Sequence, residues 1–365
     1  MKAAFSVGKL NHTSGVVKVV VNIMNELYRT GKYELALICN ERDSEDLYGL
    51  MDGIEIINVN VSIRHKADWI RLVKPLKELF DKRKFDVLVV SDMAFVPFYY
   101  SAAHRSGVHM YAWEHRNFGA GPKFRLEWIG KRLAVRKLQG VICITKRDYE
   151  YYREYCEEKR IPGRLYQIYN LTAFKKTEIR YNSNSRKIIS VGYLAAIKGF
   201  DILTDVAASL LKKCDDWSWD IYGKGDEKEH LQSLIKRKYL ENHVFLKGYC
   251  EEIFEKYSEY GIFVLTSRKE GMGMVLVEAQ KSKLPVVSFD IDCGPSDVIS
   301  DGVNGYLISP FEVESMAEKI AELLRSKRLR ERFSNCSEKN LDEFEEKVIL
   351  KKWEYLLSDS CGRRR

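Results

Sequence analysis

Short runs rich in β-branched residues alternate with amphipathic stretches along almost the whole chain, and that alternation restricts the fold more than any other feature. In the first half, apolar runs at 4–7, 35–39, 54–59, 86–90, 109–113 and 141–144 are separated by helix-period stretches at 16–28, 69–82, 124–138 and 146–157. Strands joined through helices of this length form right-handed βαβ crossovers, and therefore a parallel sheet. The polar segment 173–187 breaks the rhythm, with Asn182-Ser183-Asn184-Ser185 as a turn-forming cluster. The pattern restarts at 187–192, KIISVG. Strand runs follow at 218–222, 244–246, 261–265 and 284–289, with helices at 199–213, 228–238, 251–260 and 273–283. Beyond Leu307 it turns helical, at 312–326, 329–339 and 342–357. No repeat of fixed period is present. The expectation is an α/β chain of two parallel-sheet domains, 1–172 and 187–340, with a linker at 173–186. A terminal helix at 341–358 and a tail at 359–365 complete it, the helix packing back on the first domain through Trp353 and Tyr355. Sheets of this kind bind ligands at the carboxyl ends of their strands, here expected in the cleft between the domains.

A length of 365 residues suits two such domains. With 45% hydrophobic and 31% charged residues, the chain is not a disordered or low-complexity one. No window approaches the ~18 apolar residues of a spanning helix, and the start, Met1 to Ser6, lacks the apolar run of a secretory signal. The 8 cysteines form no C-x-x-C pair and no zinc-like spacing, so free thiols in a reducing, cytoplasmic setting are expected. The net charge of +8 is confined to one half. Residues 1–170 carry 28 basic against 20 acidic side chains, whereas 171–365 are balanced at 32 of each. The first half should therefore favour an anionic surface or substrate.

The segment 267–280, SRKEGMGMVLVEAQ, follows the strand run 261–265 and opens a helix with two glycines. Glu270 and Glu278 are eight residues apart, a rise of about 12 Å along a helix. The N–H groups of Gly271 to Gly273 offer an anion site at the helix start, and the two carboxylates flank it as acceptors for sugar hydroxyls. The spacing equally fits a dipole-stabilised Glu near a helix N-terminus with a surface Glu two turns on.

Together with its neighbours, this segment resembles the retaining family 4 glycosyltransferases of the GT-B fold, whose signature at this place is E-G-x-x-x-x-x-x-E. The resemblance continues through 190–201, SVGYLAAIKGFD, and 219–226, WDIYGKGD. It extends over 244–249, VFLKGY, and over PVVSFD, CGPSDVI and DGVNGYL within 285–307. In the first half, His12-Thr13-Ser14-Gly15-Val16 stands at the family's glycine loop, of which Gly15 remains. Trp113-Glu114-His115-Arg116-Asn117 is similar to the W-E-H-x-N of polysaccharide-building members, and Ile144-Thr145-Lys146 and Ile168-Tyr169-Asn170 also fall in order.

The resemblance implies two Rossmann-like domains facing across a cleft and a hexosyltransferase acting on a nucleotide-sugar, with uracil as the base. Lys198 would neutralise the donor diphosphate, Glu278 would hold the ribose, and Glu270 the donor sugar. Backbone of Gly271, Met272, Gly273 and Met274 would meet the diphosphate or sugar, and His115 would stand near the reacting centre. Lys247, Gly248 and Tyr249 would contact the base. Tyr193 occupies a position where the family commonly has an Arg, and Arg268 is the cation expected to replace it. Asp290-Ile291-Asp292 has the D-x-D spacing that binds a divalent metal in another glycosyltransferase fold, but it lies in a block of a metal-independent one. No metal and no cofactor are expected.

Two basic stretches carry tryptophan: Arg64, Lys66, Arg71, Lys74, Lys77, Lys82, Arg83 and Lys84 around Trp69, and Lys123, Arg125, Lys131, Arg132 and Arg136 around Trp128. Either is a solvated outer face or a peripheral contact with an anionic membrane at its inner face. The expected partners are a nucleotide-sugar and a glycan or lipid-linked acceptor, with no nucleic acid. A nucleotide-sugar epimerase on the same fold, or a catalytically weak sugar-nucleotide-binding partner subunit, are the rival readings.

Overall fold

Each half of the chain builds a parallel sheet of its own. The structure, a computed structural model, describes residues 1–10, 15–42, 49–61, 68–119, 125–172 and 180–361. It divides into two compact units, residues 1–171 with 345–365, and residues 172–344.

The first unit runs β1 (Lys2–Leu10), α1 (Gly15–Arg29), β2 (Glu34–Arg42), β3 (Glu55–Asn58), α2 (Asp68–Arg71), α3 (Val73–Lys82), β4 (Val87–Val90), α4 (Val96–Ala103), β5 (His109–Glu114), α5 (Leu126–Lys137), β6 (Gly140–Cys143), α6 (Lys146–Glu158) and β7 (Leu165–Gln167). Its seven strands take the order β3-β2-β1-β4-β5-β6-β7. Every neighbouring pair is parallel. The central strands β4 and β6 are buried along their whole length, as a sheet covered on both faces requires. In α1, Val17, Val20, Val21, Met24 and Leu27 recur at helical spacing and bury one face on the sheet.

The second unit runs β8 (Lys187–Val191), α7 (Phe200–Leu211), β9 (Ser218–Tyr222), α8 (Lys228–Arg237), β10 (Val244–Gly248), α9 (Ile253–Lys256), β11 (Ile262–Leu265), α10 (Met274–Lys281), β12 (Val286–Phe289), α11 (Pro295–Val298), β13 (Gly305–Ile308), α12 (Val313–Arg325) and α13 (Lys327–Asn335). Its six parallel strands take the order β10-β9-β8-β11-β12-β13.

The last helix, α14 (Glu346–Cys361), belongs to the first unit. Trp353, 1% exposed, lies with its ring 5.6 Å from Phe5 and 4.7 Å from Trp113, and Ile349, Leu356 and Leu357 are buried beside it. Tyr355, expected in the same packing, is exposed. The single helix expected at 342–357 begins later, because 3-10 turns at Ser337–Asn340 and Asp342–Phe344 precede it. The expected helix 69–82 is broken at the buried Leu72 into α2 and α3, and the expected helix 251–260 is the short α9 followed by a 3-10 turn. Among the described residues no helix is long and apolar enough to cross a membrane.

Candidate active site

In the second unit, two loops at the carboxyl ends of adjacent strands β8 and β11 are stitched to one another. After β8 the chain makes a 3-10 turn at Ala196–Lys198 and enters α7 through Gly199 at φ +65°. A Cβ on Gly199 would lie 2.1 Å from the Thr266 carbonyl oxygen, so only glycine lets this loop reach the end of β11. Arg268, after β11, completes the seam. Its backbone N–H donates to the Ile197 carbonyl at 2.8 Å, and its guanidinium donates to the Ala196 carbonyl at 2.7 Å. It also forks onto both Asp201 oxygens, at 2.7 and 2.6 Å, which holds the Asp201 carboxyl below its usual range. The guanidinium expected to replace the missing family Arg is thus engaged in holding the Lys198 loop.

That seam brings Lys198 and Glu270 together. Lys198 Nζ stands 2.7 Å from each Glu270 carboxylate oxygen, and Ser267 Oγ donates to Oε1 at 2.6 Å. The Glu270 side chain is 7% exposed and that of Lys198 26%, so the pair is largely shielded from solvent. Helix α10 starts just beyond, at Gly273 with φ +71°. A Cβ on Gly294 would lie 2.5 Å from the Met272 carbonyl oxygen, so the Cys293-Gly294-Pro295 block supports the loop of Gly271 and Met272 from behind. Glu278 follows within α10, and the buried Tyr257 hydroxyl points at its carboxylate from 3.5 Å. Burial and that carboxylate push the phenol's pKa well up. A primary amine and a carboxylate therefore meet beside a helix N-terminus, with Glu278 further along the same helix, a donor and acceptor set able to take a phosphate and polyhydroxyl groups.

Beside it, the turn after β9 abuts the loop after β8. Cβ atoms on Gly223 and Gly225 would lie 1.8 and 2.3 Å from the carbonyl oxygens of Gly192 and Leu194. Tyr193 is 47% exposed. The exposed Tyr249 ring carries Lys224 Nζ at 4.9 Å from its centroid. Lys247 Nζ stands 3.9 Å from Asp220, which also accepts the Tyr260 hydroxyl at 2.7 Å. Gly248 has φ +78° and open space where a Cβ would be. Asp290 and Asp292 are both exposed.

In the first unit, the carboxyl ends of β1, β4 and β5 surround a cavity of about 310 Å³ lined by His115, Asp92, Ser91 and Val17. Through Gly8, Lys9, Asp92, Phe95 and Arg116 it shares walls with an outer cavity of about 980 Å³. Gly15 opens α1 beside it, while His12, Thr13 and Ser14 lie outside the described residues. His115 packs on Trp113 with rings 4.4 Å apart and tilted by 44°, and its Nε2 has no hydrogen-bond partner among the described residues. Burial pushes its pKa down to about 3, so the imidazole is neutral at pH 7.

The loop that carries His115 is held by a buried ionic cluster that nothing in the local sequence announces. Lys131, expected on a basic outer face, is instead 2% exposed. Its Nζ stands 3.0 Å from Glu114 and donates to the carbonyls of Asn117 and Phe118. Tyr152 donates to the same Glu114 oxygen, Oε2, at 2.9 Å, the Arg116 N–H donates to Oε1 at 3.1 Å, and the Phe118 N–H donates to Asp148 at 2.6 Å. Burial and the Glu114 charge raise the Asp148 pKa well above the ordinary range. Gly130 makes this possible, since a Cβ there would lie 1.7 Å from the Met93 carbonyl oxygen. Helix α5 can therefore press against the loop after β4 and turn Lys131 inward. Of the basic positions expected around Trp69 and Trp128, Arg64, Lys66 and Lys123 lie outside the described residues. Arg71, Lys74, Lys77, Lys82, Arg83 and Lys84 are exposed, as are Arg125, Arg132 and Arg136.

Comparison with known proteins accounts for both units. Residues 13–171 match the model of Glycosyltransferase Family 4, and residues 172–340 match that of Glycosyl transferases group 1. An uncharacterized glycosyltransferase of Haemophilus influenzae is 26% identical over 98% of this chain and 99% of its own length. A poly(ribitol-phosphate) alpha-N-acetylglucosaminyltransferase of Staphylococcus aureus is 37% identical over 46% of this chain, which spans about a third of that protein, 35%. The pneumococcal O-GlcNAc transferase GtfA, solved with UDP and GlcNAc, superposes with a TM-score of 0.81 at 17% identity over 99% of each chain. Two parallel-sheet units, the two family models that tile them and a relative matched end to end agree: the chain belongs to the family 4 glycosyltransferases of the GT-B fold.

Proposed function

We propose that the protein is a retaining, metal-independent transferase. It moves a hexose or N-acetylhexosamine from a UDP-sugar to a glycan or lipid-linked acceptor in cell-surface polysaccharide synthesis. The observation that carries this reading is the Lys198–Glu270 pair beside the N-terminus of α10. Lys198 and the amides of Gly271, Met272, Gly273 and Met274 take the diphosphate. Glu270, released from Lys198, accepts from hydroxyls of the sugar, and Glu278 from those of the ribose. Lys247, Gly248 and Tyr249 face the base. The acceptor hydroxyl attacks the anomeric carbon from the side of the leaving group, the bond from that carbon to the phosphate oxygen breaks, and the departing phosphate takes the hydroxyl proton. His115, neutral at pH 7, supplies no charge to this step. Catalysis then rests on positioning and on stabilising the leaving diphosphate. UDP in the solved neighbour and the α-transferases among the relatives support the donor and the stereochemistry. Exposed Ile70 with Arg71 and Lys74 supports a peripheral contact with an anionic membrane.

Tyr193, which places no cation where the family has one, favours one second reading, a partner subunit that binds the nucleotide without efficient transfer. One experiment separates them. The protein is incubated with UDP-glucose, UDP-galactose and UDP-N-acetylglucosamine in EDTA, and sugar released to water is followed by proton NMR. The α anomer appearing first, with loss in Glu270→Gln, supports the retaining transferase. The β anomer first overturns retention. Binding of UDP with no turnover moves the reading to the partner subunit.

A further inference from the structure

The reaction described so far leaves its acceptor without a named side chain, and the two cavities of the first unit supply one. Asp92 stands two residues beyond the end of β4, the strand between β1 and β5 at the centre of the sheet, and lines both cavities. One of its oxygens accepts the Ala94 N–H at 2.8 Å, which fixes the carboxylate's orientation. The other has no hydrogen-bond partner among the described residues. The remaining carboxylates of these walls are engaged: Glu114 with Lys131 and Tyr152, Glu127 with Arg116, and Glu41 with contacts of its own. The outer cavity is also lined by the rings of Trp69, Phe95 and Phe98, with Trp69 tilted against Phe95 at 4.8 Å and Phe98 at 5.2 Å.

A fixed carboxylate with one open oxygen, in a cavity it shares with aromatic rings, suits a ring that carries hydroxyls at its edge and C–H groups on its faces. We infer that Asp92 seats the acceptor by accepting a hydrogen bond from a hydroxyl of an acceptor pyranose whose face lies against Trp69 and Phe95. This rests on the transferase reading above. Burial raises the Asp92 pKa, the mark of a carboxylate with few water partners, to which a hydroxyl donor is worth more than at the surface.

The test uses the full chain and saturation-transfer NMR with methyl α-glucoside, methyl α-galactoside and methyl N-acetyl-α-glucosaminide as probes, with UDP in the same samples. Asp92→Asn keeps an oxygen for the Ala94 amide and removes the charge. Asp92→Ser also keeps an oxygen there, and serves if the first variant loses its cooperative melting. Wild type is expected to bind at least one glycoside, and the variants to weaken it roughly 10-fold or more, enough to abolish a millimolar signal. Equal glycoside binding by wild type and variants overturns the assignment, and so does a wild type that binds UDP but none of the glycosides. Absence of UDP binding, with glycoside binding present and lost in the variants, would instead sink the donor reading and leave Asp92 as a sugar-binding residue.

Discussion

On the proposed reading, Lys198 and Glu270 exchange partners when the donor binds, and the two ends of that pair should respond with opposite sign. Lys198 Nζ is 2.7 Å from both carboxylate oxygens, so the pair is held by a forked, charge-assisted contact. Lys198→Met removes the cation that the diphosphate would meet. A hydrogen bond to a charged group is worth about 1.5–3 kcal/mol, so UDP affinity should fall roughly 10- to 150-fold. Glu270→Gln removes the carboxylate that competes for the amine and repels the phosphates. UDP affinity should hold or tighten a few-fold, while turnover of a UDP-sugar falls. Stability separates the two variants as well. Lys198→Met leaves Glu270, 7% exposed, with Ser267 as its remaining side-chain donor among the described residues, a cost of about 1–3 kcal/mol. Lys198, 26% exposed, can turn to water after Glu270→Gln, which should cost less. Calorimetric titration with UDP and thermal unfolding of both variants supply the readouts. Equal weakening by both variants, or wild-type UDP affinity in Lys198→Met, would refute the exchange.

Other consequences concern the first unit. Trp353→Ala should cost about 3–5 kcal/mol and lower its melting by roughly 6–20 °C, read by calorimetry; an unchanged transition would mean that α14 contributes little to the packing. Lys131→Met leaves Glu114 buried without its cation and should destabilise by about 3–5 kcal/mol, much of it recovered when Glu114→Gln is added, as measured by urea unfolding. His115 has a folded pKa of about 3, whereas the unfolded ring takes up its proton near pH 6.5. Between those values the unfolded state binds the extra proton, so stability falls as the pH drops, by up to about 1.4 kcal/mol per pH unit. His115→Gln should lose that component, and unfolding of both proteins at pH 7 and pH 5 gives the comparison.

The alternation of strands and helices was legible because it rests on burial periodicity, a property of each segment alone. Elements without such a signal were not. Strand β7 is three residues, Leu165–Gln167, and pairs only at the sheet's edge. Helix α4 opens with Val96 and Pro97 and carries paired tyrosines, a composition without a helical stripe. Glu270 and Glu278 could be picked out because their spacing around a glycine-opened helix carries a chemical meaning, whereas Lys198 was marked by the family resemblance alone. The partners that arrange them could not. Arg268 reaches Asp201 across 67 residues, and Lys131 and Tyr152 converge on Glu114 from two different helices. The polar pair Ser91-Asp92 closing the fully apolar strand β4 was the one available sign of Asp92. Glycines that permit close approach gave a partial signal: Gly199 and Gly223 stood in recognisable blocks, whereas Gly130, which turns Lys131 inward, stood in none.

The central claim is that the second unit is a nucleotide-diphosphate site built on Lys198, Glu270 and Glu278. Its most direct test is thermal unfolding of the full chain in EDTA with UDP, GDP, ADP or CMP. At ~100 times its dissociation constant a ligand adds ~2.7 kcal/mol, a clear upward shift. The account predicts that UDP alone raises the melting temperature, and that Glu278→Ala abolishes the rise. A wild type indifferent to all four nucleotides, or a UDP shift that survives Glu278→Ala, would contradict it.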